Sequence, residues 1–176
     1  MSVAVTHYSG AFAIYGYFIL QAISKLGNFR KSNFDLLLDY GCGSQELRKF
    51  SGNMEYIGFD LKPELRDVDS WTEINVHTIV INHVLMYLNE QEIIELFKQI
   101  NQHHSIQQII IGVGTQNLFS KIGKCLLQKN EAHNGTVSTY ESQLRLIRAN
   151  FRVIKRKSIF SATNIYLLEK RPAVVE

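Results

Sequence analysis

Leu36–Phe50 read LLLDYGCGSQELRKF. Three leucines and an aspartate lead into two glycines one residue apart, and a charged amphipathic stretch follows. A short, continuous apolar run is the mark of a strand buried on both faces, which occurs where helices cover a parallel sheet. Glycine after such a strand lets the backbone turn tightly and lets a ligand approach without meeting a Cβ. In open α/β sheets ligands sit beyond the carboxyl ends of the strands, and Gly41 and Gly43 stand at that place. A helix is expected from Ser44.

Working outward, MEYIGFD (54–60), HTIVINHV (77–84) and QQIIIGVG (107–114) read as further strands, with a minimal one near Asp67–Ser70. Asn89 and Glu92 resemble a capping box. The helix they open, EQEIIELFKQI, aligns Ile93, Ile94, Phe97 and Ile100 on one face. NLFSKIGKCLLQK (117–129) is an amphipathic helix, and Ser138 with Glu141 marks the start of another, ending near Asn150. FRVIKRKSIF (151–160) and TNIYLLEKR (163–171) are separated only by Ser161 and Ala162. So short a connection forces an antiparallel pair, because a parallel crossover takes a dozen or more residues. The order implies an α/β fold: a doubly wound, mostly parallel seven-stranded sheet with a C-terminal antiparallel hairpin and helices on both faces.

The 176 residues, 45% of them apolar, suit one domain with a full core. We divide it into an N-terminal helical lid segment (1–33), with a helix over about 10–26, and a core (34–171). The net charge of +3 is too small to announce nucleic acid or a membrane as the main partner. Cys42 and Cys125 show no metal-type spacing, so no metal is expected, and two reduced thiols suit a cytoplasmic protein. Ala11–Ile23 is strongly apolar but covers 13 residues, whereas a bilayer span takes roughly 20. It reads as a buried or lid helix without stable membrane insertion; the alternative is a surface that docks on a membrane or on a second subunit in a homodimer.

Asp60 closes the second strand, 21 residues after Asp39. An acid there can accept hydrogen bonds from both hydroxyls of a ribose. A dinucleotide-dependent oxidoreductase is the obvious rival. Its G-x-G-x-x-G fingerprint would need glycine where Glu46 stands, and that carboxylate would repel a pyrophosphate. A carboxylate before the glycine turn, Asp39, instead suits a ligand carrying an ammonium group.

DYGCG (39–43), YIGFD (56–60), IVINHVLMYL (79–88), IIIGVG (109–114) and the final hairpin resemble the class I, seven-strand, Rossmann-like S-adenosylmethionine-dependent methyltransferases of the type-11-like kind, over about residues 34–171. The resemblance implies S-adenosylmethionine as cofactor and a small molecule, not nucleic acid, as methyl acceptor. It implies that Asp39, Gly41, Cys42 and Gly43 line the methionine half, that Asp60 binds the ribose, that Tyr40 and Leu61 belong to the cofactor site, and that Asn82 and His83 form the cofactor-side wall. Asp69, Ser70 and Trp71 stand roughly where the family contacts adenine. Two departures are evident. Gln45 occupies a position usually small, and the 16 residues between Asp60 and His77 leave little room for the usual helix.

His83, directly after a buried strand, and His133, in a polar loop, are the candidate bases. Tyr8, Tyr15 and Tyr17 are candidates for an aromatic lid over substrate. The basic run Arg145, Arg148, Arg152, Lys155, Arg156 and Lys157 reads as a solvated face, with an anionic acceptor as the alternative. A non-catalytic binding or assembly module on the same fold is the second functional reading.

Overall fold

The computed structural model describes residues 11–32, 35–115 and 137–171. The strands are β1 (Leu36–Tyr40), β2 (Glu55–Phe59), β3 (Thr78–Asn82), β4 (Gln108–Gly114), β5 (Phe151–Ile159) and β6 (Thr163–Lys170). They form one mixed sheet in the order β2-β1-β3-β4-β6-β5. The pairs among β1 to β4 are parallel, and β6 runs antiparallel to both β4 and β5. The helices are α1 (Ala11–Gly27), α2 (Glu90–Gln102) and α3 (Tyr140–Asn150). The helix expected over 117–129 lies outside the described residues.

Side chains alternate across the sheet with period two, and this produces two cores. Leu38, Ile79, Ile81, Ile109 and Ile111 face α2 and α3, joined by Ile93, Phe97 and Ile147. Leu37, Val80, Ile110 and Ile165 face the other way and pack on Ile19, Ile23 and Leu47. Both faces of β1, β3 and β4 are therefore dry, which is why these strands read as unbroken apolar runs.

Six strands, not seven, pair among the described residues. The expected strand at Asp67–Ser70 stops after a single contact. Asp67 donates its amide to the Gly58 carbonyl at 2.8 Å, and its side-chain Oδ2 then accepts from the Gly58 amide at 2.8 Å. A side chain has taken the place a backbone carbonyl would occupy in a ladder, so the pairing cannot propagate. The helix expected from Ser44 is a single 3₁₀ turn over Glu46–Phe50. Ser51 ends it by bonding back to the Arg48 carbonyl, and β2 begins only four residues later.

Three smaller corrections concern caps and faces. Asn89 and Glu92 do form a reciprocal capping box on α2, but Leu96 takes the buried position expected for Ile94, which is 40% exposed. The N-cap of α3 is Thr139, whose hydroxyl accepts from the Ser142 amide. Ser138 is instead buried and donates to the Leu85 carbonyl. The hairpin turn spans Phe160–Ala162, one residue more than expected, with Phe160 and Ser161 at φ 49° and 53°. Asn89→Ala removes one half of the capping box and is expected to lower stability by about 1 kcal/mol. A lower urea midpoint at unchanged m-value would register it.

Candidate functional site

β1 ends at Tyr40 and the chain turns at once. Gly41 and Gly43 have φ of 76° and 49°, in the left-handed region. The Gly41 and Cys42 amides both donate to the Phe59 carbonyl, at 2.7 and 3.1 Å, which stitches the turn to the end of β2. Asp60 completes the stitch. Its Oδ2 accepts from the Gly43 amide at 3.1 Å and its Oδ1 from the Lys62 amide at 3.0 Å. Two bonds do not exhaust the lone pairs of a carboxylate, and a Cβ built on Gly43 would meet none of the described residues within 4 Å. The turn is thus an open cradle beside a fixed acceptor.

Asp39 lies on the α1 face of the sheet and is 5% exposed. The Tyr56 hydroxyl donates to its Oδ2 at 2.8 Å. Burial pushes its carboxyl up to about 7; the Tyr56 bond acts against that rise and the negative charge of Asp60 adds to it. The same burial, with Asp39 beside it, holds Tyr56 in its neutral form. Asp39 is a carboxylate poorly solvated by its own protein, and a cationic ligand group would remedy that.

β3 delivers the third element. Asn82 lies over Gly112 so closely that a Cβ there would fall 2.3 Å from its Oδ1. That Oδ1 is buried and accepts no hydrogen bond from the described residues, an unusual state for an amide oxygen. His83 follows at φ 58° and donates its amide to the Gly112 carbonyl at 2.9 Å. Its Nε2 lies 3.0 Å from the Thr163 hydroxyl, which is also hydrogen-bonded to the Tyr15 hydroxyl. The first turns of α1, the end of β3 and the start of β6 are joined through these three side chains.

The segment after Asp60 closes the other flank. Cys42 Sγ and Gln45 Nε2 both donate to the Leu65 carbonyl, at 3.2 and 2.8 Å. Arg48 bonds both the Gln45 amide oxygen and Asp67. Gln45 therefore serves as a strut where a small residue was expected, and it sits at φ 57° to do so. Burial, with Asp39, Asp60 and Asp67 around it, pushes the Cys42 thiol up to about 12, so it is a donor and not a nucleophile.

Asp39, Gly41, Cys42, Gly43, Asp60, Asn82, His83 and Tyr15 thus gather at one end of the sheet. Tyr40 points to the opposite face and packs against Phe59 and Trp71. Trp71 is buried there and stacks on His103. Leu61 is exposed, Asp69 is exposed and paired with Arg66, and the Ser70 hydroxyl bonds Thr72. Tyr17 lies on the outer side of α1 against Phe18 and Phe50. Tyr8, His133 and Cys125 lie outside the described residues. Tyr56 and Thr163 were not singled out by sequence. Tyr56 shares a strand face with Gly58, the register partner of Asp39, which was the one available signal. A recess of about 280 Å³ lined by Thr72, Glu73, His103 and Ser105 opens at the amino ends of β3 and β4, away from the glycine turn.

The sheet order, the terminal antiparallel pair and a glycine turn closing β1 are the fold of the class I S-adenosylmethionine-dependent methyltransferases. Among solved structures, the pyocyanin biosynthetic protein PhzM superposes with a TM-score of 0.66 at 16% identity, over 89% of this chain and 55% of that one. The small RNA methyltransferase HEN1 gives 0.67 at 14%, over 98% and 27%. The N-methyltransferase NodS from Bradyrhizobium japonicum WM9, in complex with S-adenosyl-L-homocysteine, gives 0.64 at 12%, over 90% and 88%. The chain spans about half of PhzM and about a quarter of HEN1. No family model and no curated protein matches the sequence. Among the described residues no helix is long and apolar enough to cross a membrane, and no cluster of side chains is suited to a metal ion.

Proposed function

We propose that this protein is a methyltransferase that takes the methyl group of S-adenosylmethionine and passes it to a small-molecule acceptor. The observation that carries the reading is the open glycine cradle with the Asp60 carboxylate pinned to it by the Gly43 amide. The residues present fit the cofactor. Asp60 has acceptor capacity left for the two ribose hydroxyls. Asp39 and the orphan Oδ1 of Asn82 offer buried negative charge and an unmet acceptor to an ammonium group.

S-adenosylmethionine supplies a methyl group already activated by a sulfonium. The protein's own task is then to hold the acceptor in line and to keep water out. His83 is the base we assign where the acceptor carries a proton at working pH, with Thr163 and Tyr15 fixing its ring. Tyr15 brings α1 over the same end of the sheet, which suits the lid role. Cytoplasmic location belongs to the same reading.

The acceptor class rests on the modest net charge, which offers little attraction to a phosphate backbone. HEN1 acts on small RNA by its name, so RNA is the competing acceptor. A non-catalytic module is favoured by one observation, the clasp of Cys42, Gln45 and Arg48 on the 65–67 segment, which stiffens the flank without ligand.

Calorimetry with S-adenosylhomocysteine decides between an enzyme and a module: micromolar binding is expected, and its absence overturns the proposal. Asp60→Ala removes the ribose acceptor and is expected to weaken that binding about tenfold to 150-fold, the range for charge-assisted hydrogen bonds.

A further inference from the structure

The outer side of α1 changes character along its length. Ile14, Tyr17 and Phe18 are exposed, at 62%, 49% and 40%, whereas the next positions on the same stripe are Gln21 and Lys25. A helix that only faced water would be polar throughout that stripe. The apolar half abuts the β5–β6 turn, where Phe160 is 63% exposed and lies edge-on to Phe18, with ring centroids 5.5 Å apart. Tyr17 continues the patch to Phe50 at 5.4 Å.

Among the described residues Phe160 meets the rings of Tyr15 and Phe18 and belongs to neither buried core. Its φ of 49° favours Gly or Asn. A contiguous exposed aromatic patch of this kind marks an interaction surface.

Charge identifies the partner. On β5, Lys155 and Lys157 are exposed and sit opposite Leu167 and Ile165, on the α1 side of the sheet. Arg156 turns the other way, onto Asn164 and the Tyr166 ring. Neither α1, β5 nor the turn after β5 contains an acid, while α1 ends its exposed stripe with Lys25. A second copy docking through the same patch would bring this cationic rim against itself. A surface that is apolar within and anionic without satisfies both features.

We propose that the Ile14–Tyr17–Phe18–Phe160 patch, rimmed by Lys25, Lys155 and Lys157, docks peripherally on an anionic lipid bilayer. The aromatic rings enter the headgroup boundary and the lysines meet lipid phosphates. No transmembrane helix is involved, and the docking does not depend on the methyl-transfer reading. It places the Tyr15–Thr163–His83 end of the sheet beside the lipid, because Phe160 packs directly on Tyr15 with centroids 6.2 Å apart.

The test is co-sedimentation of the full chain with vesicles of phosphatidylcholine containing about one-third phosphatidylglycerol, against pure phosphatidylcholine vesicles. Binding to the anionic vesicles is expected, with marked loss at about 0.5 M salt. Phe18→Ser with Phe160→Asn, and separately Lys155→Gln with Lys157→Gln, are each expected to weaken it about tenfold while the chain stays folded by circular dichroism. All four positions are exposed, and Asn tolerates the turn. Equal sedimentation with neutral vesicles, or undiminished binding by either double variant, overturns the proposal. So does a dimer in light scattering that Phe18→Ser with Phe160→Asn dissolves, which would make the patch an interface between copies.

Discussion

Gly41→Ala is expected to destabilise the protein by about 3 kcal/mol, the sum of a left-handed backbone forced on a residue with a Cβ and of overpacking. The Cβ would fall 2.3 Å from one methyl carbon of Val84 and 3.2 Å from the other. Val84 is β-branched and packed against the α2-side core, so it cannot swing aside. Gly43→Ala is the internal comparison. Its φ of 49° carries the same kind of backbone cost, but none of the described residues has an atom within 4 Å of the new Cβ. It should therefore cost only about 1 kcal/mol. Urea unfolding of both variants measures the difference. If Gly43→Ala proved as damaging as Gly41→Ala, the packing of Val84 under the turn would not be the cause.

The second large effect is a pH dependence set by Asp39. In the unfolded chain its carboxyl titrates at its ordinary value of 3.8, and in the folded protein burial raises that to about 7. The folded state therefore holds the proton more tightly. The stability that Asp39 contributes is fully present below about pH 4 and is lost as pH rises through 7, by at most about 4 kcal/mol. Asp39→Asn keeps an oxygen for the Tyr56 hydroxyl and removes the titration. The difference between the two stability curves, measured by urea unfolding from about pH 4.5 to 8, should widen in favour of the uncharged variant as pH increases. A difference that stayed constant with pH would show that Asp39 ionises as an ordinary surface carboxylate. An ammonium bound beside Asp39 would pull its pKa back down. Ligand binding near pH 6 should then release a proton, visible as a binding enthalpy that varies with the buffer's ionisation enthalpy.

The strands that alone bury both faces were legible because their pattern is local. Leu36–Tyr40, Thr78–Asn82 and Gln108–Gly114 fall within a residue or two of the apolar runs that announced them. The capping box of α2 and the antiparallel terminal pair were legible for the same reason: each is written in a short run of neighbouring residues. The region after Asp60 was not. It has no periodicity, and its shape comes from Asp67 bonding Gly58 and from Leu65 receiving Cys42 and Gln45, contacts made across 9 to 23 residues.

By itself the sequence determined a buried parallel sheet with a reversed end and a glycine turn between two acids, since hydrophobic period and turn chemistry act over a few residues. Only the tertiary structure decided that six strands pair among the described residues, and that Asp39 is buried under Tyr56 while Asp60 grips the turn. It also decided that Tyr15, Thr163 and His83 meet. Thr163 lies 80 positions from His83 and 148 from Tyr15 along the chain, and no local preference specifies such a contact. It forms because α1 must cover the apolar face of β4 and β6, and burying that face brings the polar ends of the elements together.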